Sequence, residues 1–338
     1  MRILSTLIII LLLGAMQSCH MFSAKKHNVE TEGTLYIPMG ASFATLMDSI
    51  SPLLKNPKQF ESFAKSQKLD ARVQPGMYKI SKEQTNEQLV DKLINGKQDP
   101  VKVMVANPPT IFHMAKTAAR HITADSLEIV NAILENPVIK EKGLDFETAK
   151  MYFIPNTYHF NWITSGEQFV QRMVEEHDKF WTEERKRKMV DAGMSELEVY
   201  TLASIVQMEA SKADEQPKVA QAYLNRLRQG RKLEADPTAV YAYKMQNGFT
   251  EHVQRVYHSH LRTPSEYNTY QVTGLPPAPI ALPNPSAIDA VLEPEPHDYI
   301  FFCADPDRPG YHSFAKTYSE HQQNAAKYRA WLRANNIK

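Results

Sequence analysis

Glu196-Leu197-Glu198-Val199-Tyr200-Thr201-Leu202-Ala203-Ser204-Ile205-Val206-Gln207-Met208-Glu209-Ala210 is the stretch on which the reading of this chain turns. Its apolar residues recur at helical spacing, so it reads as one long apolar helix. Leu202, Ile205, Val206 and Glu209 fall at i, i+3, i+4 and i+7 and share one stripe. That stripe is the one that faces a core, yet it ends on a carboxyl group. A carboxyl stripped of water is disfavoured in its charged form, so its pKa rises. A raised carboxyl is what a general acid needs near neutral pH. Two structural readings stand beside the catalytic one: the side chain turns into solvent at the last turn, or it pairs with Lys212 or Arg226.

Moving outward, a second helix is expected over Pro217–Gln229, with proline at its start and Gly230 at its end. Upstream, residues 167–192 read as a charged helix whose mixed-sign run, Glu183 to Lys188, marks a solvated face. Downstream, Asp236-Pro237-Thr238 reads as a turn that caps the next helix. Tyr267-Asn268-Thr269-Tyr270 combines aromatic faces with an amide, as sugar sites do and as packed loops also do. Gly274-Leu275-Pro276-Pro277-Ala278-Pro279-Ile280 cannot be helix interior or central strand, so it is a fixed loop able to hold site residues. Toward the amino terminus, short strands (Leu35–Pro38; Val73–Ile80, read as a turn and then a strand; Val101–Val105) alternate with amphipathic helices (Phe43–Ile50, capped by Ser42; one carrying Phe60, Phe63 and Ala64; Thr85–Ile94, stopped by Gly96). This mixture defines an α+β chain.

The whole chain has 338 residues, enough for two or three domains with real cores. Its 39 basic and 38 acidic residues leave a net charge of +1, which removes the usual electrostatic argument for nucleic-acid binding. Two cysteines exclude a disulfide framework and a four-thiolate zinc site; Cys303, in the run Tyr299–Cys303, reads as a buried strand thiol. His258 and His260, with His252, could suggest a metal, but the His-x-His pair lacks a third ligand at a typical spacing, and no nucleotide-binding glycine motif is present; no cofactor or metal is expected. Ser204 lies in mid-helix without the glycines of a nucleophile elbow, so serine hydrolysis is unsupported.

Arg2 precedes an apolar run, Ile3 to Met16, which is a targeting segment. Three readings stay open: a cleaved signal peptide, a lipoprotein signal with lipid on Cys19, or an uncleaved anchor over Ile3 to about Ala24. All three export the body of the chain, and two of them tether it to a membrane.

These pieces together resemble the MltG-type (YceG-like) endolytic murein transglycosylases over nearly all of residues 30–335. The resemblance rests on Leu202-Ala203-Ser204-Ile205-Val206 with Glu209, Tyr223-Leu224-Asn225-Arg226-Leu227, Asp236-Pro237-Thr238, Tyr267-Asn268-Thr269-Tyr270, Gly274-Leu275-Pro276-Pro277 with Pro279-Ile280, Tyr299-Ile300-Phe301-Phe302, and Gly310-Tyr311-His312-Ser313-Phe314 with His321. Three positions depart from the family pattern: Ala210 stands where threonine is usual, Asn156 where aspartate is usual, and Asn107-Pro108 replaces an acidic-Gly step.

The resemblance implies a catalytic glutamate at Glu209 and a substrate-binding set of Asp236, Thr238, Tyr267, Asn268, Tyr270, Asn225 and His312. It implies a signal or membrane anchor over 1–24, a linker over 25–33 and a LysM-like module over 34–96. A connecting α/β region over 97–194 and a catalytic domain over 195–338 complete the expected order. The partners implied are peptidoglycan glycan strands, the inner membrane and the cell-wall synthesis machinery, with the body on the periplasmic side. The activity implied is lytic cleavage of the MurNAc–GlcNAc bond with formation of 1,6-anhydro-MurNAc ends. The alternative is a membrane-tethered peptidoglycan-binding scaffold without catalysis. Intact Glu209, 236–238 and 267–270 motifs favour the enzyme over a decayed scaffold.

Overall fold

The computed structural model describes residues 24–106, 108–335 and 337. The expected anchor or signal over 1–24 lies outside the described residues except for Ala24; Cys19 and Asn107 lie outside them as well. Among the described residues, no helix is long and apolar enough to cross a membrane. The architecture is α+β, built, among the described residues, from helices and three two-stranded sheets.

The chain divides into two compact units. The first holds the described residues up to Val103, with His121–Ala124 and His159–Ser165. Its strands β1 (Gly33–Ile37) and β2 (Gly76–Ile80) run antiparallel, Leu35 opposite Tyr78. Between them lie helices α1 (Phe43–Ile50) and α2 (Pro57–Ser66), and α3 (Asn86–Ile94) follows. The caps are local chemistry: Ser42, Asn56 and Thr85 side chains accept the orphan N–H groups of Thr45, Gln59 and Gln88. Leu35, Ile37, Leu46, Ile50, Phe60, Tyr78, Leu89 and Leu93 make the core. The stretch expected to be a linker contributes to it: Asn28 and Val29 are buried. Asn28 donates to Asn56 O and Asn86 Oδ1 and accepts from Asn56 N–H, so one amide ties three segments.

The second unit holds Met104–Arg120, Asp125–Tyr158 and Gly166–Lys338. The division passes through strands β3 (Val101–Val105) and β4 (Asn156–Phe160), which pair with each other. Short helices α4 (Ile111–Ala118), α5 (Ser126–Glu135) and α6 (Pro137–Glu141) lead into α7 (Gly166–Phe180) and α8 (Glu183–Asp191). The charged helix expected over 167–192 is thus two helices. Thr182 interrupts it, taking an extended conformation and capping the second helix through Arg185 N–H. The mixed charges do form surface pairs, Lys186–Glu183 and Lys188–Glu184, but Arg185 reaches inward to a two-pronged contact with Asp289.

At the centre lies α9 (Glu196–Glu209), opened by a capping box between Ser195 and Glu198. Val199 to Val206 are all buried, so this helix has no solvent face over that span. It is packed by α10 (Gln216–Arg228) and α13 (Pro285–Leu292), with α11 (Asp236–Asn247) alongside and the single turn α12 (His258–Leu261) beyond. Strands β5 (Phe301–Ala304) and β6 (His312–Ala315) pair antiparallel under the closing helix α14 (Tyr318–Ala334). Cys303 is in a strand as expected, but it is half-buried because the ribbon has only two strands.

Candidate active site

Glu209 is the last residue of α9, and the helix ends there because Ala210 turns to an extended conformation. The position has two electrostatic consequences. The carboxyl sits at the negative end of the helix dipole, and it is largely withdrawn from water. Burial pushes its pKa above the usual carboxylate range; His312 and Arg226 pull it down, Asp236 pushes it further up, and a hydrogen bond from Tyr223 lowers it. That bond is long, 3.4 Å from Tyr223 Oη to Glu209 Oε2. No salt bridge reaches Glu209 among the described residues. The pairing with Lys212 or Arg226 weighed from the sequence is not formed. Arg226 is buried and committed elsewhere, donating from Nε to Ile300 O (2.6 Å) and from Nη1 to Leu233 O.

Around the carboxyl, α10 supplies the back wall. Tyr223 is fully buried, and its ring meets Phe302 edge-on at 5.5 Å. Phe302 in turn meets His312 edge-on at 5.3 Å. The His312 imidazole is fixed by Glu215, the residue before α10, which accepts from Nδ1 at 2.9 Å and from the His312 backbone N–H at 2.7 Å. An ionised carboxylate only accepts, so this contact places a proton on Nδ1. Glu215 is 6% exposed. Opposite stands Asp236, the first residue of α11, exposed to solvent. The capping role read for it is not taken: its carboxylate accepts instead from Tyr270 Oη at 2.6 Å. Tyr270 lies close enough to Glu209 to feel its charge, and burial together with Asp236 pushes its phenol well above the ordinary range. Glu209, Asp236, Tyr270 and His312 are thereby brought to one cleft.

Of the remaining candidates, Asn268, Thr238 and Asn225 have their polar side-chain atoms engaged inside the protein. Asn268 is buried; its amide donates to Leu261 O and Thr263 O, and its oxygen accepts from Tyr270 N–H. Thr238 is buried and its hydroxyl bonds Ala235 O, Thr269 Oγ1 and Thr269 N–H. Asn225 donates to His297 O and Tyr299 O and accepts from Gln221 and Arg228. Tyr267 is buried with its ring 5.2 Å from Tyr241. Here these four brace the walls: Asn268 and Thr238 lock the 263–270 loop onto the start of α11, and Asn225 locks the 297–299 segment onto α10. Ala210, where the family pattern has threonine, is fully buried. Asn156 bonds only its neighbour's N–H, Thr157, and is exposed.

Tyr223 and Glu215 were not singled out as site residues from the sequence. Tyr223 stood in a quoted motif but was given no role there. Glu215 lies 97 residues from the histidine it holds, a pairing that no local pattern reveals. Ser204, set aside as a nucleophile, donates to Thr201 O and accepts from Ile280 N–H at 3.0 Å, tying the proline-rich loop to α9. Among the described residues no cluster of His, Cys, Asp and Glu is arranged to hold a metal. His260 accepts from Tyr257 N–H through Nδ1.

Comparison with known proteins places this geometry in context. The model of the YceG-like family matches residues 35–327. An endolytic murein transglycosylase of Bacillus subtilis is 26% identical over 317 residues, covering 88% of this chain and 85% of that protein. One from Streptococcus pneumoniae is 23% identical over 331 residues, and the chain spans only 58% of its length. Among solved structures, a yceG-like protein from Listeria monocytogenes superposes with a TM-score of 0.57 at 26% identity, covering 86% of this chain and 98% of that one.

Proposed function

The chain belongs to the YceG-like family, and from that membership we propose that it is an endolytic murein transglycosylase with Glu209 as its acid and base. The observation that carries the assignment is the position of Glu209: a half-buried carboxyl at a helix end, held by one long hydrogen bond and near Asp236 and His312. Burial disfavours the charged form of such a group, which favours the protonated state from which a general acid starts.

In the proposed reaction, protonated Glu209 donates to the oxygen between N-acetylmuramic acid and N-acetylglucosamine, and the C1–O4 bond breaks. The muramyl acetamido group supports the cationic anomeric carbon. Ionised Glu209 then takes the proton from the C6 hydroxyl as that oxygen closes on C1. One carboxyl therefore serves both steps, and no water is consumed. Asp236 and Tyr270 are assigned to orient the sugar and His312 to shape the opposite wall, while Asn225, Thr238, Tyr267 and Asn268 hold these groups in place.

The first unit, with its strand–helix–helix–strand order, is assigned as a LysM-like glycan-binding module. The body is assigned to the outer side of the cytoplasmic membrane, tethered through residues 1–24 or lipid on Cys19, where it would meet nascent strands and the synthesis machinery. The apolar run Ile3–Met16 after Arg2 supports that location.

The test is mass analysis of the ends released from purified glycan strands. Anhydro-muramyl ends are expected; reducing muramic ends would mean a hydrolase. Glu209→Gln is expected to lower kcat about 1,000-fold, within the usual range for a positioned acid, and full activity in that variant would overturn the assignment.

A further inference from the structure

A concavity of about 310 Å³ is lined in part by residues that flank Glu209 and Asp236 in the sequence. Met208, Pro237, Val240, Lys244, Ile280 and Ala281 line it. Met208 directly precedes Glu209 and Pro237 directly follows Asp236, so the pocket's lining is continuous in the chain with two residues of the cleft. Its floor is fixed: Ile280 and Ala281 are buried, and Ile280 N–H is bound to Ser204. Met208 leaves 49% of its surface exposed at the rim. One cation stands among these apolar groups. Lys244 is half-buried, and among the described residues its ammonium has no ion-pair or hydrogen-bond partner. A place in the last turn of α11 accounts for a cation there, but not for the apolar wall it faces.

We infer that this pocket binds the short peptide carried by the muramyl sugar at the cleaved bond, with small aliphatic residues against Val240 and Ile280 and a carboxylate on Lys244. The inference rests on the transglycosylase reading of Glu209. The occupant follows from geometry and charge. A muramyl ring presented to Glu209 carries its lactyl-peptide on C3, two carbons from the anomeric carbon, so the peptide must leave the cleft within one ring's width. The volume is at the low end of the roughly 300–1,000 Å³ of small-molecule sites, which suits a two- or three-residue segment and not a further stretch of glycan. A peptide of small aliphatic residues with one acidic group matches an apolar pocket with one uncompensated ammonium.

The experiment compares kcat/KM on peptide-bearing glycan strands with that on the same strands stripped of peptide by an amidase. The full chain is used as wild type, Lys244→Glu and Val240→Phe. Wild type is expected to prefer peptide-bearing strands by about tenfold, the worth of one charge-assisted hydrogen bond. In Lys244→Glu the preference collapses toward one, and Val240→Phe, which fills the pocket, produces the same collapse by a different route. Equal cleavage of both substrates by wild type, or a preference unchanged in both variants, would overturn the pocket assignment alone. Wild type inert on both substrates would overturn the transglycosylase reading and this inference with it.

Discussion

Replacing Tyr223 by Phe removes one oxygen from the site and leaves the ring against Phe302. The lost contact is the hydrogen bond to Glu209, which at 3.4 Å is near the limit of bonding distance. Hydrogen bonds to charged groups contribute about 1.5–3 kcal/mol at good geometry; for this long one about 0.7 kcal/mol is reasonable. Dividing by about 1.36 kcal/mol per pH unit gives roughly half a unit. The sign follows from which form the bond favours. Tyr223 stabilises the ionised carboxyl, so its removal raises the Glu209 pKa. The reaction starts from protonated Glu209, so the alkaline limb of kcat/KM moves up by about half a unit. On the plateau the rate falls by about threefold, because the carboxylate forming in the transition state has lost its donor. The assay is a pH series on purified strands with the anhydro ends quantified. A limb that moves down would refute the electrostatic argument. A plateau loss of about 1,000-fold would make Tyr223 itself a proton donor.

Asp236→Asn and His312→Gln should move the same limb in opposite directions. Removing the Asp236 charge lowers the Glu209 pKa and shifts the limb down, while removing His312 takes away a lowering influence and shifts it up; both are read from the same pH series. Asn268→Ala should cost about 3 kcal/mol of stability, since Leu261 O, Thr263 O and Tyr270 N–H all lose a buried partner. Thermal unfolding measures it, and an unchanged midpoint with a raised KM would instead identify a sugar-binding amide.

The sequence was most informative where local periodicity and chain chemistry act. The i, i+3, i+4, i+7 spacing placed Glu209 on a core-facing stripe because a helix repeats every few residues whatever surrounds it. Ser42 and Thr85 marked helix starts because capping is decided within four residues. The reading was poorer for polar residues, whose role depends on distant partners. Tyr267-Asn268-Thr269-Tyr270 carries two tyrosines and an amide in one motif, yet only Tyr270 reaches Asp236. The amide is saturated by carbonyls at 261 and 263. Nothing in the order of the residues says which polar atoms are already engaged. The burial of α9 on all sides was likewise invisible, because α13 and the 279–284 segment that cover it come from far along the chain.

Those covering contacts have a mechanical meaning. Lys150 Nζ holds Pro279 O, Ser204 holds Ile280 N–H, and Gln207 holds both Leu282 O and Asn284 N–H. Two of these three anchors stand on the helix that ends in Glu209. The segment is riveted at nearly every residue, and the acid is mounted on the same plate. A thermal excursion large enough to lift the segment must also strain the helix terminus, so the two keep a common frame of reference. A polymer drawn past such a site meets a fixed tool and not a closing jaw.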